Sequence, residues 1–223
     1  MKSNVLVIAP HPDDEVLGCG GTIKKLSAGG NKVMILIITR GKKELYSEER
    51  IRNVRQEALN AHKILQVTET RFLDFPAPDL DMVSLAGLSA AIKKVIEEFK
   101  IHTLFLPHRG DIHHDHKAVF NAGLVAARPG EHSPVRKIFS YETLSETEWG
   151  APFGDDAFIP DYFINITNEM PAKLEAMKCF GSQLKEFPNP RSLKSIEALA
   201  GFRGGTVGFP CAEAYMTIRV IDE

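Results

Sequence analysis

The stretch of sequence that decides the fold is NVLVIAPHPDDE, from Asn4 to Glu15. Its first six residues, Asn4 to Ala9, are a short apolar run that predicts a buried strand. A helix is expected over about residues 17–28, where Gly29 and Gly30 end it. The chain therefore opens with a predicted βα unit.

The same alternation continues along the chain. The run Lys32 to Ile38 lacks a polar alternation, which predicts a parallel strand buried on both faces and broken by residues 39–41. Residues 47–65 predict a helix with Ser47 as its N-cap. Further strands are expected at 70–74, 103–106, 137–141, 162–166 and 214–220, and further helices at 85–99, 115–127, 171–184 and 193–200. A connector rich in Gly, Pro and Asp lies at 150–156.

Strands that alternate with helices predict a Rossmann-like, doubly wound α/β fold. We expect one domain over residues 1–223, with a mostly parallel sheet and helices on both faces. In this architecture ligands bind beyond the carboxyl ends of the strands. Side chains that directly follow predicted strands are therefore the first candidates for a functional site.

Composition excludes several function classes. The 27 Lys and Arg residues nearly balance 29 Asp and Glu residues, so no broad basic surface for nucleic acid or an anionic membrane is predicted. The partner is expected to be a small molecule. Cys19, Cys179 and Cys211 are too widely spaced for a disulfide framework or a thiolate metal site, and each is expected to be a small buried thiol. The first apolar run is too short for a signal peptide or a membrane span, which predicts a cytoplasmic protein.

A cluster of polar residues, PHPDDE at positions 10–15, directly follows the first predicted strand. Pro12 restricts its own backbone and biases His11 towards an extended conformation. A turn can then bring His11 and Asp14 onto one side as metal ligands, while Asp13 points elsewhere. Taken alone, consecutive acidic residues are equally typical of a helix start, where the helix dipole favours carboxylates.

A second cluster, HRGDIHHDH from His108 to His116, contains four of the eight histidines of the chain. It follows the strand predicted to end at Leu106, so it also lies at a carboxyl end of the sheet. A His-rich tract can be a solvated loop. Two such clusters after two strands favour a shared site instead.

Together the clusters supply two histidines and one carboxylate. This is the ligand set of catalytic zinc sites that keep a fourth position for water. Such a metal lowers the pKa of water, a nearby carboxylate can take the proton, and an imidazolium can stabilise the developing oxyanion. Asp13 and His113 are placed for the last two tasks.

HPDDE at 11–15 followed by HHDH at 113–116 resembles the LmbE/PIG-L family of zinc-dependent N-acetylglucosaminyl deacetylases. The resemblance extends over most of residues 3–220 and is weakest at about 150–161. It implies a hydrolase that removes the N-acetyl group from an N-acetylglucosamine-type sugar or glycoside. It also implies one zinc ion per chain, although the same ligands accept other divalent metals.

The resemblance assigns roles to individual residues. It implies that the zinc ligands are His11, Asp14 and His116. Asp13 would be the general base. His113 would polarise the carbonyl oxygen or protonate the leaving amine, and Asp115 would keep the His113 ring oriented and charged. His114 falls at a variable position and receives no role.

The predicted second helix departs from the family pattern. Family members often carry a substrate-binding arginine three residues before a glutamate, but this position before Glu57 is Val54. Arg55 and Arg50 are the candidate substrate-binding residues here, with Arg52 beside them. A solvated helix face explains these arginines equally well.

Two other positions matter for the resemblance. A tyrosine found in some members two residues before His113 is replaced by Asp111, which places more of the oxyanion stabilisation on His113 and the metal. Glu213, in a small-acidic-small-aromatic stretch at 212–215, is expected to have a packing role rather than to line the site.

Three other functions are compatible with parts of the sequence. A metal-dependent hydrolase of another amide, an ester or a phosphoester would use the same ligands. A nucleotide-binding module is suggested by GCGG at 18–21, but the third glycine of that fingerprint is replaced by Ile23, and the glycines are better explained by close helix packing. A non-catalytic sugar-binding protein would be expected to have lost part of the two motifs. A homo-oligomer is compatible with all of these functions.

Overall fold

The computed structural model describes residues 2–130 and 133–222. The strands are β1 (Asn4–Ala9), β2 (Lys32–Gly41), β3 (Glu69–Ala77), β4 (Thr103–Pro107), β5 (Lys137–Tyr141), β6 (Tyr162–Asn165) and β7 (Ala212–Val220). The helices are α1 (Asp14–Ala28), α2 (Glu48–Leu65), α3 (Leu85–Glu98), α4 (His114–Ala126), α5 (Met170–Lys178) and α6 (Leu193–Gly205). None of these helices is long and apolar enough to cross a membrane.

The strands form one seven-stranded sheet in the order β3-β2-β1-β4-β5-β7-β6. β1 to β5 run parallel to one another, whereas β7 is antiparallel to both β5 and β6. The predicted α/β fold with a mostly parallel sheet is confirmed. Successive strands are added on one side of β1 as far as β3 and then on the other side from β4 onwards, so the strand order reverses between β1 and β4, which is the switch point at which such sheets bind ligands.

Alternate residues of each central strand face opposite layers. Val5 and Val7 of β1 pack in one core with residues of α1, α2, α5 and α6. Leu6 and Ile8 pack in a second core with residues of α3 and α4. Both faces of the sheet are thus covered by helices, which explains why β1 and β2 are apolar without alternation.

Helix α1 begins at Asp14, three residues before the predicted start at about 17. The amides of both Val16 and Leu17 donate hydrogen bonds to the carbonyl oxygen of Asp13, at 3.0 and 2.9 Å, so the acidic residues already belong to the first helical turn. Asp14 is therefore held on a rigid helix rather than in a loop. The predicted glycine packing is also found, since a Cβ on Gly21 would lie only 2.7 Å from the Ile166 side chain.

Several other predicted bounds were wrong. β2 continues to Gly41 and β3 to Ala77, because the two strands resume pairing after a register shift between Ile37 and Thr39. α5 ends at Lys178 instead of residue 184, where the chain tightens into bonds from Cys179 to Ala176 and from Phe180 to Met177. α6 extends five residues beyond Ala200. Cys19 is buried as predicted, whereas Cys179 and Cys211 are only partly buried.

Candidate active site

Two loops meet at the carboxyl edge of the sheet. Residues 10–13 connect β1 to α1, and residues 108–113 connect β4 to α4. Because β1 and β4 are adjacent parallel strands, both loops emerge on the same side of the sheet. The two polar clusters of the sequence therefore share one site.

The structure brings together the three predicted metal ligands. His11, Asp14 and His116 each offer a ligand atom, and these atoms lie within 4.8 Å of one another. Asp14 Oδ2 is 3.3 Å from His11 Nδ1 and 3.3 Å from His116 Nε2. The amide of His11 also donates to Asp14 Oδ2 at 2.9 Å, which fixes the loop against the first turn of α1.

Two polar atoms of this group are left without hydrogen-bond partners. Within residues 2–130 and 133–222, Asp14 Oδ1 and His116 Nε2 are buried and make no hydrogen bond. Unpartnered buried polar atoms are costly unless a ligand satisfies them. Imidazole nitrogen and carboxylate oxygen are both ligands for a divalent metal, so these residues fit a metal ion.

The charges in the site attract a cation. Burial opposes ionisation of Asp14, but the adjacent His116 and His11 hold the pKa of that carboxyl well below its usual range. Burial lowers the pKa of His11, but its hydrogen bonds to Asp115 and Asp14 outweigh this effect and raise the value to about 9. The buried carboxylates thus stabilise positive charge at the histidines, and a bound metal would compete with those protons.

Asp111 and Thr147 support the predicted metal ligand His116. His116 Nδ1 lies 2.7 Å from Asp111 Oδ2, and the Thr147 hydroxyl donates to Asp111 Oδ1 at 2.6 Å. A carboxylate on one ring nitrogen fixes the tautomer and directs the other nitrogen towards a metal. Sequence reasoning treated Asp111 only as the replacement of a tyrosine and did not identify this role.

Asp115 has a different partner from the one predicted. Its Oδ2 lies 2.9 Å from His11 Nε2 and 3.9 Å from His113 Nδ1, and its Oδ1 accepts the Leu80 amide at 2.9 Å. The Asp115 carboxylate therefore orients the predicted ligand His11 rather than His113. A second group of possible metal-binding atoms, from His11, His113 and Asp115, also lies within 4.8 Å. In this group His11 Nε2 and Asp115 Oδ2 are already paired with each other.

His113 is the N-cap of α4. Its Nδ1 accepts the amide of Asp115 at 3.1 Å, so the proton of the neutral ring lies on Nε2. Burial and the neighbouring His11 lower the pKa of His113 to about 4. This differs from the sequence prediction that Asp115 keeps the ring charged. In this structure His113 is a neutral hydrogen-bond donor that faces the cavity.

Asp13 lies at the turn between the loop and α1. Its φ of 115° is in the left-handed region, which is unfavourable for a residue with a side chain. Glu15 Oε2 accepts the amide of Asp13 at 3.1 Å, and Glu15 Oε1 lies 2.8 Å from Nε2 of the buried His62. Burial raises the pKa of Asp13 to about 8, against the opposing effect of Arg191. The structure thus places a strained, buried carboxyl beside the metal ligands.

Three cavity residues were missed by sequence reasoning because they lie far from both motifs. Arg191 Nη1 is 3.3 Å from Asp13 Oδ2, and Arg191 Nη2 is 3.4 Å from Glu146 Oε1. Gln183 completes this wall, at 3.5 Å from Arg191 Nη1. They belong to irregular segments without a periodic pattern, so no sequence signal placed them near Asp13.

A cavity of about 280 Å³ opens in front of His11, Asp13 and His113. The candidate substrate-binding residues Arg50 and Arg55 both line it, as does Val54. The Arg50 guanidinium lies 5.1 Å from the centre of the Tyr46 ring, and Arg55 Nη2 is 2.7 Å from Asp74 Oδ1. Exposed His114 and Glu213, which is buried in the sheet layer, are not among the lining residues.

The fold and the paired loops define an α/β protein with a candidate metal site, and comparison with known families is consistent with this class. The PIG-L family, described as GlcNAc-PI de-N-acetylase, matches residues 6–127. This is more than half of the chain and includes both polar loops. The chain belongs to the PIG-L family.

Similar sequences carry related names. The chain is 30% identical to "Uncharacterized deacetylase YaiS" of Escherichia coli, over 79% of this chain and 90% of that protein. It is 29% identical to the probable N-acetyl-alpha-D-glucosaminyl L-malate deacetylase 2 of Bacillus cereus, over 82% of this chain and 84% of that protein. It is also 29% identical to the diacetylchitobiose deacetylase of Thermococcus kodakarensis, over 82% and 70%.

Solved structures share the fold. The conserved protein TT1542 from Thermus thermophilus superposes with a TM-score of 0.79 at 23% identity, over 99% of this chain and 97% of that one. The N,N'-diacetylchitobiose deacetylase from Pyrococcus horikoshii gives a TM-score of 0.77 at 23% identity, over 97% and 84%. The two similarities extend beyond the family match at residues 6–127 to nearly the whole chain.

Proposed function

We propose that this chain is a zinc-dependent deacetylase that hydrolyses the acetamide of an N-acetylglucosamine-type sugar or glycoside and releases acetate. Residues 1–223 would act as one catalytic domain. The observation that carries the proposal is the group of partly buried His11 with buried Asp14 and His116, in which two atoms lack hydrogen-bond partners, beside the carboxyl of Asp13. Membership of the PIG-L family and the names of the relatives support the substrate class.

The residues around the cavity can carry out amide hydrolysis. A divalent metal held by His11, Asp14 and His116 would activate a water molecule and polarise the carbonyl group. Asp13, in its ionised form, which Arg191 at 3.3 Å favours, accepts a proton from the attacking water, since the carboxyl faces the cavity beside these ligands. The C–N bond breaks as the nitrogen gains the proton that Asp13 took from the water, so the products are acetate and a free amine.

His113 assists at the carbonyl oxygen or at the leaving nitrogen. Its Nδ1 is occupied by the Asp115 amide, so Nε2–H is the atom available to a substrate. A donor that is fixed before the substrate binds stabilises developing negative charge without reorganisation. Asp115 acts indirectly, because its hydrogen bond orients the ring of His11.

Zinc is the ion proposed for this site. Two imidazoles and one carboxylate that leave room for water are typical of catalytic zinc sites. The same atoms accept iron or manganese, so availability contributes to the choice. We propose one ion per chain, because only the His11, Asp14 and His116 group contains unpartnered ligand atoms among the described residues.

The cavity fits a small-molecule substrate. Its volume of about 280 Å³ is near the lower end of the ~300–1,000 Å³ range of ligand pockets. We propose that Arg50 and Arg55, on the α2 wall, contact the part of the substrate outside the acetamide. Action without nucleic acid or membranes, a cytoplasmic location and a homo-oligomeric state stay predictions.

The test is acetate release from a panel of N-acetylglucosamine derivatives. The protein is stripped of metal with a chelator and then reconstituted with zinc, and each form is assayed on free, glycosidic and chitooligosaccharide substrates. Zinc-dependent release from any member supports the proposal. Failure to release acetate with one zinc bound per chain would point to another amide or ester. Failure to bind metal would refute the metal site itself.

A further inference from the structure

One wall of the cavity comes from residues that lie beyond the family match at 6–127. Glu146, Gln183 and Arg191 all line the cavity. Arg191 is only partly exposed, at 24% of its side chain, and Glu146 is exposed at 10%. Arg191 of this wall contacts Asp13 in the loop at residues 10–13, so this chain supplies a polar wall next to that loop.

Arg191 is anchored at one end of its guanidinium and loosely held at the other. Its Nε donates to the Ser145 hydroxyl at 2.6 Å, and its backbone amide donates to Asn189 Oδ1 at 2.9 Å. Its two terminal nitrogens lie 3.3 to 3.5 Å from their acceptors on Asp13, Glu146 and Gln183. A well-formed bond between a guanidinium and a carboxylate measures about 2.7–2.9 Å.

The acceptors in these long contacts, on Asp13, Glu146 and Gln183, belong to residues that line the cavity. Nε fixes the plane of the guanidinium, so Nη1 and Nη2 hold their positions without depending on the weak contacts. Hydrogen bonds in a ligand-free site are often long and tighten when substrate binds. The N–H groups of Arg191 are thus positioned to donate to a substrate oxygen that also contacts Glu146.

We propose that Arg191 and Glu146 bind the 3-hydroxyl of the amino sugar, the hydroxyl on the carbon next to the acetamido carbon. A hydroxyl both accepts and donates hydrogen bonds, and this pair offers a cationic donor beside a carboxyl group whose oxygen can accept. The contact between Arg191 and Asp13 places the pair next to the reacting acetamide. The inference rests on the proposed deacetylase function and names the residues that position the sugar for it.

Arg191 could instead act only through its contact with Asp13. An effect through Asp13 would slow every substrate by the same factor, whether or not the substrate carries a 3-hydroxyl. Direct binding would affect only substrates that carry this hydroxyl. Combining an enzyme change with a substrate change separates the two roles, because only groups in contact show coupling.

The experiment compares wild-type enzyme with Arg191→Met, each loaded with zinc. Each is assayed on the best N-acetylglucosamine derivative and on its 3-deoxy and 6-deoxy counterparts. Arg52→Met is the matched control, because Arg52 is exposed on α2 and does not line the cavity. Zinc content is measured for every variant, since it should remain at the wild-type level.

We expect Arg191→Met to lower kcat/KM about 10- to 100-fold on the parent substrate, the range of a charge-assisted hydrogen bond. Wild-type enzyme should lose a similar factor on the 3-deoxy substrate. Arg191→Met should lose almost nothing more on that substrate, while the 6-deoxy substrate shows no such coupling. Equal losses for the variant on all three substrates would overturn the proposal.

Glu146→Gln provides a second variant in case Arg191→Met does not fold. It keeps the shape of the side chain and should show the same coupling to the 3-hydroxyl with a smaller loss. Absence of coupling in this variant would also contradict the proposal. If wild-type enzyme releases no acetate from any sugar, the proposed function itself fails. If it releases acetate without coupling, only the role of Arg191 and Glu146 fails.

Discussion

Two clusters of charged side chains contact helix α1, one at its first residue and one near its middle. At its first residue, Asp14 meets His11 and His116. Near its middle, Glu213 accepts the amides of Gly21 and Thr22 at 2.9 and 2.7 Å. Both clusters place ionisable groups in a sheet-helix interface, where an unpaired charge is costly.

The two clusters differ in whether their atoms are satisfied. Lys173 Nζ donates to Glu213 Oε1 at 2.6 Å and to the carbonyl of Leu17 at 2.7 Å, and the Tyr215 hydroxyl donates to Glu213 Oε2 at 3.0 Å. In the other cluster, Asp14 Oδ1 and His116 Nε2 have no hydrogen-bond partner among the described residues. The Glu213 cluster is therefore satisfied within the protein, whereas the group of His11, Asp14 and His116 combines metal-type side chains with unsatisfied atoms, as a ligand site does.

The largest effect is expected from removing a metal ligand. His116→Ala should lose stoichiometric zinc, and acetate release should fall on the order of 10³-fold or more, since a bound metal contributes several kcal/mol to the transition state. Zinc should also raise the Tm of the wild type but not of this variant. Zinc content, Tm and acetate release measure these changes. Exposed His114→Ala is the matched control, and equal losses in both variants would contradict the assignment.

A smaller effect on turnover, without loss of metal, is expected at the proposed base. Asp13→Asn should keep one zinc per chain and reduce kcat by about 10²- to 10⁴-fold, the range of general base catalysis. Metal analysis and steady-state kinetics on the same preparation separate binding from chemistry. Near-normal kcat in this variant would remove Asp13 as the base.

The structural cluster should respond in stability instead. Lys173→Met should lower the free energy of unfolding by about 3–5 kcal/mol, because it leaves Glu213 charged and buried. Adding Glu213→Gln should recover part of this loss, since the remaining charge is removed. Denaturant unfolding measures both variants, while zinc affinity should stay unchanged. A large loss of zinc affinity in Lys173→Met would show that the two clusters are not independent.

The smallest effect is expected at the residue that supports His116. Asp111→Asn should weaken zinc affinity or activity by about 10- to 100-fold, as is usual for a carboxylate behind a ligating histidine. Competition with a chelator measures the affinity. Asp155→Asn is the control, because its side chain is 97% exposed. A change no larger than that of the control would mean that Asp111 does not set the His116 ring.

Local patterns were sufficient to predict most of the fold. Apolar runs without alternation predicted β1 and β2, and the Ser47 cap predicted the start of α2, where its hydroxyl accepts the Arg50 amide at 3.2 Å. Boundaries that depend on tertiary contacts were not predictable. The early start of α1 depends on the left-handed turn at Asp13, and the extension of β2 depends on its pairing with β3.

The candidate site was predictable only where its residues adjoin the two motifs. His11, Asp14 and His116 come together as expected, because adjacent parallel strands bring both loops to one edge. Whether the Asp115 carboxylate pairs with His11 or with His113 depends on which ring lies nearer in the folded chain, which the motif alone does not specify. Arg191 reaches Asp13 across 178 positions of sequence. No spacing rule predicts a contact between an irregular segment and a loop so far away.

The most direct test of the central claim is acetate release measured against zinc bound per chain. Metal-free protein is titrated with zinc, and bound metal and activity are determined on the same samples. One catalytic ion at His11, Asp14 and His116 predicts that activity rises in proportion to bound zinc and reaches its maximum at one ion per chain. Activity that is independent of bound zinc would contradict the account.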